Sequence, residues 1–232
     1  MRAVYPRLEP ELGRLAEFVP AGGTAVDVGG WFGPWTARLL RRADRVVAIE
    51  ADPELAALLR RTFPSAQVVQ AACSAAAGET ELWIPPNRLA GLSSVEQRIG
   101  RPVTVPKITL DAIDLADVRF LKLDIEGHEL AALQGGEDTI RRDRPVVLLE
   151  LEERHQPIAP VVELLGSWGY AGSVLQGGGW VRLADFPLAE RQRATLPALD
   201  RALLRRVVRP EPRYPNSVLF RPVRGWGAVR RP

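Results

Sequence analysis

The chain has 232 residues, 46% hydrophobic and 25% charged, a composition that excludes extensive disorder and suits one α/β domain (residues 1–232) better than two. Its net charge of +3 would admit a nucleic-acid partner. However, only two of the 31 basic residues are lysines, and the arginine excess collects between Arg201 and Arg231 without a recognisable nucleic-acid module, so a solvated basic face is expected. Cys73 is the single cysteine, which excludes an intrachain disulfide framework. No apolar run approaches the roughly 18 residues needed to span a bilayer, and the first residues carry no apolar signal region, so a cytoplasmic protein without membrane contact is expected.

In chain order, residues 1–22 hold an amphipathic helix around Leu8–Val19, followed by a strand, Thr24–Val28. A helix over Pro34–Arg42, a strand over Arg45–Glu50 and a helix over Glu54–Thr62 come next, with Pro53 suited to the helix start. Gln67–Ala72 reads as the third strand. Residues 79–109 then break the rhythm: Glu79–Ile84 and Pro102–Ile108 look extended, and a polar loop, Pro85–Gly100, lies between them. An insertion beside the first strands is a natural place to hold a substrate. The alternation resumes with strand Arg119–Asp124, helix Glu129–Leu133, strand Pro145–Glu150 and helix Pro160–Trp168. A hairpin is expected from Tyr170–Leu175 and Trp180–Leu183 across three glycines, followed by a helix over Ala189–Val207 and a strand over Ser217–Arg221. Residues 223–232 read as a frayed tail. Strands alternating with helices imply a mostly parallel sheet with helices on both faces.

The strongest local pattern is Ala25-Val-Asp-Val-Gly-Gly-Trp-Phe-Gly33, a buried strand leading through an acid into a glycine-rich turn. Dinucleotide folds use G-x-G-x-x-G to seat pyrophosphate on a helix N-terminus. Here Trp31 stands at the middle glycine and Asp27 precedes Gly29. A carboxylate there repels pyrophosphate and suits the ammonium of a bound amino acid, such as that of S-adenosylmethionine. Glu50 ends the second strand roughly 20 residues beyond the turn, the spacing at which an acid meets both ribose hydroxyls. Gly29, Gly30, Trp31, Gly33, Glu50 and Ala51 are therefore candidate cofactor contacts. Ala72, small and at the end of the third strand, leaves room for adenine.

These segments, together with Thr109-Leu-Asp111, Leu121-Lys-Leu-Asp-Ile-Glu-Gly-His-Glu129 and Arg144-Pro-Val-Val-Leu-Leu-Glu150, resemble the FkbM-type methyltransferases. The resemblance runs from about Ala25 to Glu153, with an echo at Asn216–Phe220, and the block around Lys122 is its most specific part. It implies a Rossmann-like class I methyltransferase fold with a seven-stranded sheet, S-adenosylmethionine as cofactor, and O-methylation of sugars or natural-product hydroxyls. Where that family carries Ala-Asn, this chain has Gly30-Trp31, so the asparagine's contact on the methionine side must be replaced or lost.

In open α/β sheets, ligands bind outside the carboxyl ends of the strands. Asp124 and Glu150 end two strands, and the only two histidines, His128 and His155, follow them. Methyl transfer to a hydroxyl needs a base to take the acceptor's proton, and a histidine titrates near neutrality. His128 and His155 are thus candidate bases, Asp124 a candidate contact of the acceptor or of the cofactor's amino group, Glu150 a site acid, and Ser93 and Ser94 possible acceptor contacts. Glu126 and Glu129 suit a helix start equally well. Asp124, Glu150 and Glu152 offer oxygens to a magnesium ion, but no fixed-spacing metal motif supports a metal site. The remaining alternatives are an NAD-dependent oxidoreductase and a non-catalytic Rossmann-like binding module.

Overall fold

The computed structural model describes residues 9–86, 93–196 and 214–223. Five parallel strands form the heart of one sheet: β1 (Thr24–Val28), β2 (Arg45–Glu50), β3 (Gln67–Gln70), β7 (Val118–Leu123) and β8 (Val146–Glu150). They lie in the order β3-β2-β1-β7-β8. The sheet continues antiparallel through β11 (Ser217–Pro222), β9 (Tyr170–Gln176) and β10 (Gly179–Arg182). The sheet thus has eight strands where the resemblance implied seven; the eighth is the outer arm of the β9–β10 hairpin expected at Trp180–Leu183. Gly177 and Gly178 both take positive φ (56° and 81°), as a two-residue turn matched to strand twist requires.

Both faces of the sheet are covered. Val26, Val28, Leu121, Leu123, Val147 and Leu149 point to a core closed by α4 (Glu129–Gln134), α5 (Glu137–Asp143) and α6 (Ile158–Ser167). Ala25, Phe120, Leu148 and Leu219 point the other way, against Leu12, Leu15, Phe18, Val19, Trp35 and Leu39. β1 is buried along its whole length, as an interior parallel strand must be.

Several expected elements changed. The opening helix shrinks to α1 (Pro10–Gly13) and a 3₁₀ turn at Leu15–Glu17, because Gly13 interrupts it and Arg14 bonds back only three residues. The regular part of the second helix is only α2 (Thr36–Leu39), closed by a mixture of i→i+3 and i→i+4 bonds. α3 (Pro53–Thr62) is capped by Asp52 Oδ1, which accepts from the Glu54 and Leu55 N–H groups. The third strand breaks at Ala71, whose N–H turns to the Glu50 carbonyl. Ala72–Cys73 (β4) then joins a second sheet with β6 (Arg101–Ile108) and β5 (Gly78–Ile84). α5 was not expected. Asp111 caps it by accepting from the Asp138 and Thr139 N–H groups (3.2 and 2.8 Å), which explains the Thr109-Leu-Asp111 motif. α7 (Leu188–Thr195) is the observed start of the Ala189–Val207 helix. The rest of that helix, the tail beyond Val223 and the terminal arginines other than Arg221 lie outside the described residues. Among the described residues, no helix is long and apolar enough to cross a membrane.

Candidate active site

The carboxyl ends of β1, β2, β7 and β8 meet at the glycine turn. Gly29 takes φ +77°, and a Cβ there would stand 1.9 Å from the Asp124 carbonyl oxygen, so only glycine lets β1 and β7 close at this point. Trp31 also lies in the left-handed region, at φ +50°. Asparagine tolerates that conformation far better than a bulky side chain does. The resembling pattern with asparagine here therefore has a backbone reason as well as a side-chain one. The strained geometry lets the Trp31 N–H donate to Glu50 Oε2 (2.8 Å), while the Asp52 N–H donates to Oε1 (2.8 Å). Each Glu50 oxygen keeps lone-pair capacity. Burial raises the Glu50 pKa to about 7 against the pull of those two donors. Ala51 packs beside Ala72 in a small apolar cluster with Leu82, Ile84 and Val105, next to Glu50.

A charge cluster lies on the face of the sheet that also carries Ala25 and Phe120. Asp27 and Lys122 are neighbours in the β1–β7 register. Lys122 Nζ donates to Asp124 Oδ2 (2.9 Å) and stands 5.7 Å from the centre of the Trp35 ring. Asp27 is fully enclosed: Oδ2 accepts from the Thr36 hydroxyl (2.6 Å), and Oδ1 has no hydrogen-bond partner among the described residues. Burial raises the Asp27 pKa. Burial also tends to raise Asp124, but Lys122 and a hydrogen bond from Glu150 outweigh it and hold Asp124 low. Glu150, half-buried and facing the Asp124 charge, is pushed well above the carboxylate range by desolvation and by that charge.

The loop after β7 is built by its own acids. Glu129 Oε1 accepts from the Ile125 and Gly127 N–H groups (3.0 and 3.4 Å), and Oε2 from Gln156. Glu129 thus secures the loop. Glu126 has φ +53°; its carbonyl accepts from Ser94 Oγ, and its carboxylate meets His155 Nδ1 (3.0 Å). Ser94 also accepts from the Glu96 and Gln97 N–H groups, so it anchors the insertion. Ser93 Oγ is buried without a hydrogen-bond partner among the described residues. His128 Nδ1 lies 2.6 Å from Glu96 Oε1, and Nε2 lies 3.0 Å from Ser74 Oγ. Glu152 is drawn away from Asp124 and Glu150 by Arg154 and by Asn216 Nδ2 (3.2 Å). Among the described residues, no group of three or more His, Cys, Asp or Glu side chains is placed to hold a metal ion.

Glu9, Glu96, Ser74 and Trp35 were not anticipated from the sequence. Glu9 Oε2 accepts from the Trp35 indole N–H (2.6 Å), and burial lifts its pKa to about 7. No local motif marks these residues.

The acids also set a pH dependence. Burial raises Glu9, Glu50 and Glu129 from 4.5 to about 7, so between those values the folded state binds more protons than the unfolded chain. The stability they contribute is full below 4.5 and lost as pH rises through about 7. Urea unfolding followed by tryptophan fluorescence should find the ligand-free protein more stable at pH 5 than at pH 8, by on the order of a few kcal/mol. Equal stability at the two values would mean that these carboxyls are not desolvated.

A methyltransferase FkbM domain model matches residues 24–171, well over half of the chain. No curated protein matches. Among solved structures, the chain is similar to a methyltransferase FkbM from Methylobacillus flagellatus, at TM-score 0.53 and 18% identity. That match covers 69% of this chain and 42% of the other. It is also similar to a methyltransferase from Streptococcus mutans solved with S-adenosylhomocysteine, at TM-score 0.50 and 9% identity, over 94% of this chain and 98% of that one. These likenesses are of fold. The protein belongs to the FkbM family of S-adenosylmethionine-dependent methyltransferases.

Proposed function

We propose that the protein methylates a hydroxyl oxygen of a small molecule, a sugar or a polyketide-type natural product, with His128 taking the acceptor's proton. The observation that carries this reading is the setting of His128, held between Glu96 and Ser74 just before α4. An ionised Glu96 only accepts, so it fixes the proton on Nδ1 and leaves the Nε2 lone pair as the base. The Ser74 hydroxyl donates to that lone pair, which marks the direction from which an acceptor hydroxyl is relieved of its proton. His155 is the weaker candidate: its side chain is 8% exposed against 16% for His128, and it lies between Glu126 and Glu152. The sugar or polyketide-type acceptor rests on family membership.

The donor set suits S-adenosylmethionine. A buried carboxylate oxygen without a hydrogen-bond partner is uncommon, and Asp27 Oδ1 supplies one for an ammonium group. Glu50 keeps lone pairs for two ribose hydroxyls while its backbone donors hold it still. When bound, the cofactor supplies an electrophilic methyl group on a sulfonium. The acids around Lys122 favour that positive charge, and Asp124 remains ionised to face it.

Titration calorimetry tests the cofactor assignment. S-adenosylhomocysteine should bind and NAD should not. Glu50→Ala should weaken S-adenosylhomocysteine by about 1.5–3 kcal/mol, the worth of a hydrogen bond to a charged group. Unchanged affinity in that variant would remove Glu50 from the site.

A further inference from the structure

We propose that Ser94, in the insertion between β5 and β6, is a positioning residue that carries Glu96 to His128 and so fixes the tautomer of the base. The proposal rests on the reading above, in which His128 takes the acceptor's proton.

The Ser94 hydroxyl is fully committed to the protein. Its proton goes to the Glu126 carbonyl (3.1 Å), and it accepts from the Glu96 and Gln97 N–H groups (3.0 and 3.1 Å). A serine hydroxyl has one donor and two acceptor sites, so all three are taken. At 1% exposure the residue is also closed off from anything entering the site. Its main chain is fixed as well: the Trp83 N–H donates to the Ser94 carbonyl (2.8 Å), and the Ser94 N–H to the Trp83 carbonyl (3.2 Å). Ser94 is thus joined to β5 by its backbone and to the loop after β7 by its side chain.

That loop is held ready to receive it. Glu126 and Gly127 both take positive φ (53° and 99°). Glu129 accepts from the Ile125 and Gly127 N–H groups, and His155 Nδ1 meets the Glu126 carboxylate. The Glu126 carbonyl is therefore a fixed point. Glu96 stands two residues beyond Ser94, His128 two beyond Glu126, and the two side chains close the ring at 2.6 Å. Glu96 is 48% exposed. A contact so exposed is worth little alone, because a long side chain gives up rotamer freedom to make it and water competes for both partners. Holding the Glu96 N–H on Ser94 removes the backbone's share of that cost. Without the hydroxyl, Glu96 is free to leave Nδ1.

Imidazole ¹⁵N NMR reads the proton's position directly and needs neither acceptor nor cofactor. The chain has two histidines, so the spectrum of His128→Ala assigns both. At pH 9, above the ordinary histidine range, wild type should show His128 protonated on Nδ1. In Ser94→Ala the ratio of the Nδ1–H to the Nε2–H form should fall roughly 2–10-fold, the worth of one hydrogen bond. Glu96→Gln removes the orienting carboxylate itself and should lower the ratio at least as far. Thermal melting follows the fold of each variant. A wild-type ratio in folded Ser94→Ala, beside a lowered one in Glu96→Gln, would overturn the proposal. A lower melting temperature without a change of ratio would do the same, since it marks a structural role alone. Should Ser94→Ala fail to fold, Ser94→Cys, whose thiol bonds only weakly, is held to the same criterion. A ratio unmoved in Glu96→Gln, or a wild-type His128 protonated on Nε2, would instead refute the reading of His128 as a base oriented by Glu96.

Discussion

Replacing Lys122 with Met should cost about 1–3 kcal/mol of stability at pH 8, because it removes the buried member of an ion pair whose other member, Asp124, is 30% exposed. For a protein of this size that corresponds to a melting temperature lower by roughly 2–12 °C. Lys122 is 5% exposed and is the cation shared by Asp27, Asp124, Glu9 and Glu150. Without it the half-buried Asp124 loses its counter-charge, and the enclosed Asp27 has protonation as its relief. The loss should therefore be smaller at pH 5.5, where the acids are more readily neutralised. Urea unfolding at both values measures it. Equal stability of variant and wild type at pH 8 would show that the cluster is solvated. This lysine stands in a chain that otherwise uses arginine almost throughout.

Replacing His128 with Ala should lower turnover roughly 10²–10⁴-fold while leaving S-adenosylhomocysteine affinity near wild type. A base acts only as the acceptor loses its proton, so its removal spares cofactor binding. Glu96→Gln tests the same arrangement from the other side. An amide can donate as well as accept, so it no longer fixes the proton on Nδ1, and turnover should fall less than in His128→Ala. Turnover like wild type in His128→Ala would pass the role to His155, Asp124 or Glu150.

The sheet was legible in the sequence because its parallel strands are buried on both faces and read as apolar runs closed by an acid or a glycine. Thr24–Val28 and Arg45–Glu50 were placed to the residue. Asp27 and Glu50 stood out because each ends such a run. What escaped depends on contacts distant in sequence. The break at Ala71 follows from an N–H turning to the Glu50 carbonyl, and α5 from a cap at Asp111. Glu96 reaches His128 across 32 residues and Glu9 reaches Trp35 across 26, spacings that no periodicity marks. Lys122 lay within the most specific motif, and a lysine inside a buried strand was the one signal from which the charge cluster could have been inferred.

Methyl transfer itself is the most direct test. The protein is incubated with S-adenosylmethionine carrying a deuterated methyl group and a panel of sugars and polyketide-type alcohols, and the products are resolved by mass and fragmentation. A product that gains one labelled methyl on oxygen, formed by wild type and nearly absent with His128→Ala, is the expected result. Label on nitrogen or carbon would contradict hydroxyl methylation, and so would the absence of labelled product from every hydroxylated acceptor while S-adenosylhomocysteine binds.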